Sequence, residues 1–117
     1  MNTEQFTATI RKAFGTAQTI ALRRNHQRMG DLHLLAGLLE DDGQAASRLL
    51  MRAGVNMDSL NSTLEAALKK IPEVTGSGAD NLQIDPGLGR IVADAESWSK
   101  QRGDSFISVD AVLMAMI

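Results

Sequence analysis

Cysteine is absent from this chain of 117 residues, and aromatic residues make up only 3% of it. Without thiols there is no disulfide framework and no thiolate nucleophile or metal ligand. That fits a cytosolic protein. With so few rings, a base-stacking platform for single-stranded nucleic acid has nothing to build on. A basic excess is missing too: 12 Lys and Arg stand against 14 Asp and Glu, a net charge of −2. A binder of phosphate backbones usually carries a basic stripe, so nucleic acid is not an expected partner. No apolar run approaches the ~20 residues that a membrane span requires, and no membrane association is expected. "MNTEQFTATI" has no basic stretch ahead of an apolar one, so it does not read as a secretory signal. What is present is 44% apolar and 22% charged residues, the balance of one soluble globular domain whose core is Leu, Ile, Val, Ala and Met.

The apolar residues recur with helical spacing. Phe6, Ile10, Ala13, Phe14, Ala17, Ile20 and Ala21 form one face of an amphipathic helix, with Asn2 and Gln5 spaced as a capping box ahead of it. "NHQRMG" interrupts, and Asp31 is expected to cap a second helix, "LHLLAGLLED". That helix is apolar nearly all round and therefore central. "DDG" ends it. "QAASRLLMRAG" predicts a third helix stopping at Gly54, and Asn56 or Asp58 caps a fourth, which Pro72 terminates. "PEVTGSGADNLQ" reads as a loop. Asp85 followed by Pro86 starts a fifth helix, ended by Gly103, and Ser108 caps a sixth. No stretch alternates with period two for long, so the fold class is all-α.

An offset of 78 residues lays the chain on itself without gaps. Ile10 meets Leu88, Phe14 meets Val92, Ala17 meets Ala95, Ile20 meets Trp98, Arg24 meets Arg102, Met29 meets Ile107 and Leu35 meets Leu113. Identities are few, but the apolar register and the helix breaks coincide. The expected organisation is a duplicated four-helix pseudo-repeat: repeat one at 3–71, an inter-repeat loop at 72–84, and repeat two at 85–117. The second copy stops after its second helix, which implies a piece cut from a longer duplicated domain.

Several motifs carry little. Arg102-Gly103-Asp104 matches the cell-adhesion tripeptide, but both flanks are explained by the repeat. His26 and His33 are the only histidines, and Asp31 alone would not complete a zinc site with them. His33 is read instead as a buried, hydrogen-bonded residue of the central helix. "GSGADNL" lacks the Lys-Ser/Thr pair of a phosphate loop, so no catalytic, metal or cofactor site is expected.

"NTEQFT…AQTIAL…NHQ…LHLLAGLLED", "LLMRAGVNM", "LKKIPEVTGSG" and "AESWSKQRGDSFISVDAVLMAM" together resemble the duplicated N-terminal domain of the Clp ATPases, most closely the ClpB-type disaggregases. The resemblance implies a mobile domain on a hexameric ATP-driven parent. Such a domain engages unfolded or aggregated polypeptide, with a co-chaperone or adaptor as a further partner, and ATP is handled only by modules downstream. The isolated fragment is expected to be monomeric. The resemblance also implies a polar cluster at Thr7, Asp104 and Asp110, linked in the family to substrate handling. Acids beside an apolar groove would hold basic residues of an extended segment while the groove takes its apolar side chains. Val92, Trp98, Phe106 and Ala111 are the candidates for that groove. Asp94 and Ala111 stand where related chains can carry leucine, which implies a shallower, more polar groove. Local roles compete with these assignments. Thr7 can cap the first helix, Asp104 can complete the turn after Gly103, Asp110 favours the dipole of the helix it begins, and Trp98 can be a core-edge residue of the Leu88–Ile91–Ala95 stripe. The ClpC-type phosphoarginine site needs an acid in each repeat, and Leu32 occupies the first of those places. The ClpA type docks an adaptor, which leaves an adaptor-docking or spacer module as the alternative function.

Overall fold

The computed structural model describes residues 3–40, 45–74 and 82–116. A 3₁₀ turn at Thr3–Gln5 leads into α1 (Ala8–Arg23), β1 (Arg28–Met29), α2 (Asp31–Leu39), α3 (Ala45–Arg52), α4 (Met57–Lys69), β2 (Gln83–Ile84), α5 (Pro86–Gln101) and α6 (Val109–Met116). The architecture is all-α apart from these two short strands. The "DDG" stop signal and the "TGSGADN" part of the loop lie outside the described residues.

Helix starts follow local chemistry, with two corrections. Asn2 lies outside the described residues, and α1 is not capped by a box at its side of the chain. It begins at Ala8, and the extended Thr7 is its cap, its Oγ1 accepting from the Ile10 N–H at 3.3 Å. The reason is tertiary. The chain around Phe6 is drawn out straight to form a parallel bridge with Ile107. The Ile107 N–H donates to the Gln5 carbonyl at 2.7 Å, and the Thr7 N–H to the Ile107 carbonyl at 3.1 Å. Likewise Asp31 is the first residue of α2 rather than its cap. Gly30 holds the cap position, and its N–H donates to His33 Nδ1 at 2.9 Å. Asn56 caps α4 and Asp85 caps α5, each through a side-chain oxygen.

The duplication is visible in the element bounds. Helices α1 and α5 both have 16 residues and start 78 residues apart, as do α2 and α6. Both long helices end in the same left-handed turn, at Asn25 (φ 59°) and Gly103 (φ 79°). In each, the next N–H reaches back five residues: His26 to the Ala21 carbonyl and Asp104 to the Ser99 carbonyl, both at 2.9 Å. That is the six-to-one bond of a Schellman ending, where glycine or asparagine fits the left-handed residue best.

The strands, which the sequence pattern did not predict, join the repeats reciprocally. Met29 at the α1–α2 corner pairs with Ile84, the lead-in to α5. Ile107 at the α5–α6 corner pairs with Phe6, the lead-in to α1. Each repeat therefore seats its entry segment against the corner of the other.

The core runs between the two pairs. Phe6, Ile10, Ala17, Leu34, Leu38, Leu88, Ala95 and Val112 are buried together, and a smaller cluster of Ile20, Ala36, Leu64 and Leu68 holds α4 onto α1 and α2. Helices α1 and α2 touch at backbone level. A Cβ at Gly37 would run into the Ala13 carbonyl oxygen and lie 3.1 Å from the Ala17 nitrogen.

At the α1–α2 corner His26 and His33 are buried, at 3% and 2% exposed, with His26 Nδ1 2.7 Å from His33 Nε2. The Gly30 N–H can only donate, so His33 Nδ1 is unprotonated. The neutral ring then carries its proton on Nε2 and donates it to His26 Nδ1. A further proton on either ring would place two N–H groups face to face. Burial, together with the charges of His26 and Arg24, lowers His33 to about 4. Burial and Arg24 lower His26 as well, with Glu73 opposing.

Two outcomes are expected. Gly37→Ala should lower stability by about 1–2 kcal/mol. Overpacking against backbone costs ~1–3 kcal/mol and exceeds the ~1 kcal/mol that alanine gains over glycine in a helix. An unchanged or raised melting temperature would refute the close contact. The unfolded chain binds histidine protons below about pH 6.5, while in the folded chain His33 refuses its proton until about 4 and His26 is also held below its ordinary range. Stability should therefore be full above pH 6.5 and fall as the pH drops through the His33 window, by up to ~1.4 kcal/mol per unit for His33, with His26 acting in the same direction. Urea titrations between pH 7 and 4.5 measure it. A flat profile above pH 5 would show that the pair is not locked neutral.

Candidate functional site

The corner between α5 and α6 alternates like a strand. Ile107, Val109 and Ala111 are buried; Phe106 is exposed, and Ser108 and Asp110 are half-buried. Inward residues anchor the segment to the core, and outward ones line a shallow concavity with Thr7, Arg102, Asp104 and Ser105. Thr7 arrives from the other end of the chain because its N–H is bonded to the Ile107 carbonyl. The capping role and membership of the concavity are thus both true of Thr7. Asp104 follows the left-handed Gly103, and Asp110 stands in the first turn of α6.

Arg102 links the polar groups. Its Nη1 donates to Asp110 Oδ2 at 3.0 Å, and its Nε lies 3.8 Å from Asp104 Oδ2. Its guanidinium lies over the Trp98 ring, 4.4 Å from the centroid. The Ser108 hydroxyl donates to Asp110 Oδ1. That hydroxyl is the main reason the Asp110 carboxyl is held below its usual range. Partial burial opposes it, and Arg102 and the Ala111 N–H add to the lowering. These charges are more than a third exposed, so their pairing contributes only ~0–1 kcal/mol to stability. The cluster positions acids; it does not hold up the fold.

Of the seven residues singled out from the sequence, Thr7, Asp104, Phe106 and Asp110 meet in this concavity. Phe106 offers an apolar face, 55% exposed. Trp98 is half-buried against the core and joins the cluster only through Arg102. Val92 and Ala111 do not form a surface groove, being 8% and 0% exposed. Val92 continues the inward stripe of Leu88 and Ala95, and Ala111 is the inward neighbour of Asp110. The sequence reading missed Arg102 and Ser108. Arg102 was inside the discounted tripeptide, and its spacing of four from Trp98 was the available sign.

The duplication builds the concavity twice. Gln27, Arg28, Gly30, Leu32 and Asp85 line a second one, each 78 residues from Ser105, Phe106, Ser108, Asp110 and Thr7. Its chemistry differs. Leu32 replaces the acid of Asp110, the buried His26 replaces Asp104, and Ile71, Pro72 and Val74 add apolar lining. A third cleft, about 330 Å³, opens on repeat one between α1, α2 and α4, bridged by Arg24 and Glu65 at 2.6 Å.

A family model described as the Clp repeat (R) N-terminal domain matches residues 5–117. The chain belongs to this Clp N-terminal domain family. It is 38% identical to the chaperone protein ClpB of Rhodopseudomonas palustris and 37% identical to that of Mesorhizobium japonicum, over 116 residues in both. Each match covers 99% of this chain but 13% of the relative, so the chain spans about an eighth of the curated relatives it matches. Among solved structures, the Hsp104 N-terminal domain from Candida albicans has a TM-score of 0.83 at 24% identity, covering 96% of this chain and 73% of that one. The N-terminal domain of the ClpV1 ATPase from the Escherichia coli EAEC Sci1 T6SS gives 0.80 at 22% identity, covering 96% and 67%. These likenesses establish the Clp N-domain fold.

Ser108→Ala should raise the Asp110 carboxyl towards its ordinary range, read by carbon NMR through an acid titration. With the Asp110 pKa lowered, its contribution is present above the ordinary carboxylate range and lost as the pH falls through the lowered value. The variant should lose that contribution at higher pH than the parent. An unmoved carboxyl would show that Ser108 does not hold Asp110.

Proposed function

We propose that this Clp N-terminal domain engages unfolded or aggregated polypeptide for a ClpB-type disaggregase and passes it to an ATP-driven hexamer built by the rest of the protein. The observation carrying this reading is the convergence of Thr7, Asp104, Phe106 and Asp110, from opposite ends of the chain, on one open concavity. It offers carboxylates and an exposed ring side by side, a pairing suited to an extended segment with basic and apolar residues. The relatives named ClpB support the chaperone assignment. A further solved structure of this fold, with a TM-score of 0.85 at 21% identity, is described as a peptide from the EAEC T6SS Sci1 SciI protein, which supports peptide handling by this fold. Binding is shallow and needs no cofactor, and ATP turnover belongs to the absent modules. The reading places the protein in the cytosol.

The cleft of repeat one favours a second reading, adaptor docking. Ile20, Leu39, Leu64 and Leu68 give it an apolar floor, and Arg23, Arg24, Glu40 and Glu65 a charged rim. Titration of the labelled domain with a permanently unfolded model protein separates the two. Shifts at Thr7, Phe106 and Asp110, micromolar or weaker affinity, and loss of binding in Asp104→Ala and Asp110→Ala with the fold intact are expected. Shifts confined to the α1–α2–α4 cleft would overturn polypeptide engagement at the corner.

A further inference from the structure

Arg102 is held on three sides, by Asp110, by Asp104 and by the face of Trp98. Two carboxylates and an aromatic face are what a guanidinium selects. The chain's own side chain therefore displays the ligand chemistry of the site it occupies. Its counterpart in repeat one, Arg24, is engaged instead by Glu65 of α4, and the places of the two acids hold His26 and Leu32. Arg24 thus meets one acid on the rim of the α1–α2–α4 cleft, whereas Arg102 meets two acids and an aromatic face in one concavity.

We propose that Arg102 is a displaceable placeholder: in the free domain its guanidinium fills the seat made by Asp104, Asp110 and Trp98, and it yields that seat to an arginine of the engaged polypeptide. This rests on the polypeptide-engaging reading above and adds what regulates that site. Displacement is easy. The Arg102 side chain is 48% exposed, and exposed ion pairs are weak. Its place at the end of α5 is fixed by the backbone, the Arg102 N–H donating to the Trp98 carbonyl. Asp110 does not need Arg102 to stay in position, because Ser108 holds its other oxygen. With Arg102 in place the cluster carries two carboxylates against one cation, and an incoming arginine must compete for them. Once Arg102 swings out, the same acids face the ligand alone. The placeholder thus lowers affinity and selects a side chain that replaces it on the Trp98 face.

The test uses the 117-residue chain and two end-capped disordered decapeptides, one with a single arginine between leucines, the other with glutamine in its place. Affinity is followed by NMR and by emission of Trp98, the one tryptophan. Arg102→Gln should bind the arginine peptide about fivefold more tightly and the glutamine peptide unchanged, with Arg102→Lys in between. Equal or weaker binding of the arginine peptide by Arg102→Gln, with an unaltered circular dichroism spectrum, would make Arg102 a fixed brace and overturn the proposal. Asp110→Asn separates the two levels. If it weakens binding while Arg102→Gln fails to strengthen it, only the placeholder falls. If it leaves binding untouched, the corner is not the polypeptide site and both fall.

Discussion

Two short parallel pairings set the geometry of this domain. Phe6 lies along Ile107, and Ile84 along Met29. A helix can start wherever a cap allows, but α1 starts at Ala8 because the residues ahead of it are held straight against the other repeat. That exchange brings Thr7 beside Asp104 and Asp110, about a hundred residues away in sequence. It also buries Phe6 and Ile107, which join the main core. Each repeat supplies a wall of the other's corner, so neither corner is complete alone.

A corner built twice is free to differ. Repeat one turned its copy inward: His26 and His33 are buried, share one proton across 2.7 Å and tie the end of α1 to the cap of α2. At the matching places repeat two has Asp104, which is exposed, and Ala111, which is buried and apolar. An alanine needs no partner, and so the segment around it is not committed to an internal polar network. The acids of repeat two can face solvent because Ala111, at the place of His33, draws none of them inward. One corner serves the fold and the other presents charge, although the backbone bonds around the two are alike.

The helices were legible because their signals are local. Gly54, Asn56, the Asp85–Pro86 pair and Gly103 each act within a few residues of themselves, and the inward stripe of α5 follows from spacing alone. The 78-residue register was legible for the same reason. The strands were not, since two residues cannot show a period and their pairing is decided across the molecule. Gly30 displaced Asp31 as a cap because His33 reaches back to the Gly30 N–H, an unusual partner for a cap position. Val92 and Ala111 were assigned to a groove by family likeness, whereas stripe and alternation point both inward. Arg102 was overlooked because its role arises from Trp98, Asp104 and Asp110 together, and no single spacing announces all three.

The alternation from Phe106 to Ala111 separates two demands that often conflict. Stability resides in Ile107, Val109 and Ala111, each buried, and in the bonds from Ile107 to Gln5 and Thr7. The exposed charges and the Phe106 ring reside on the residues between them, and their ion pairs are worth little to the fold. Outward residues can change character with small effect on folding, as the contrast between Leu32 and Asp110 already illustrates. Inward residues cannot, since a cavity at Ile107 would cost ~2–5 kcal/mol and loosen Thr7 together with the corner. A polar surface with exposed, mutually screened charges also binds weakly. In the proposed polypeptide-engaging role that weakness would suit release, and it follows from mounting the acids on a segment whose anchors all point the other way.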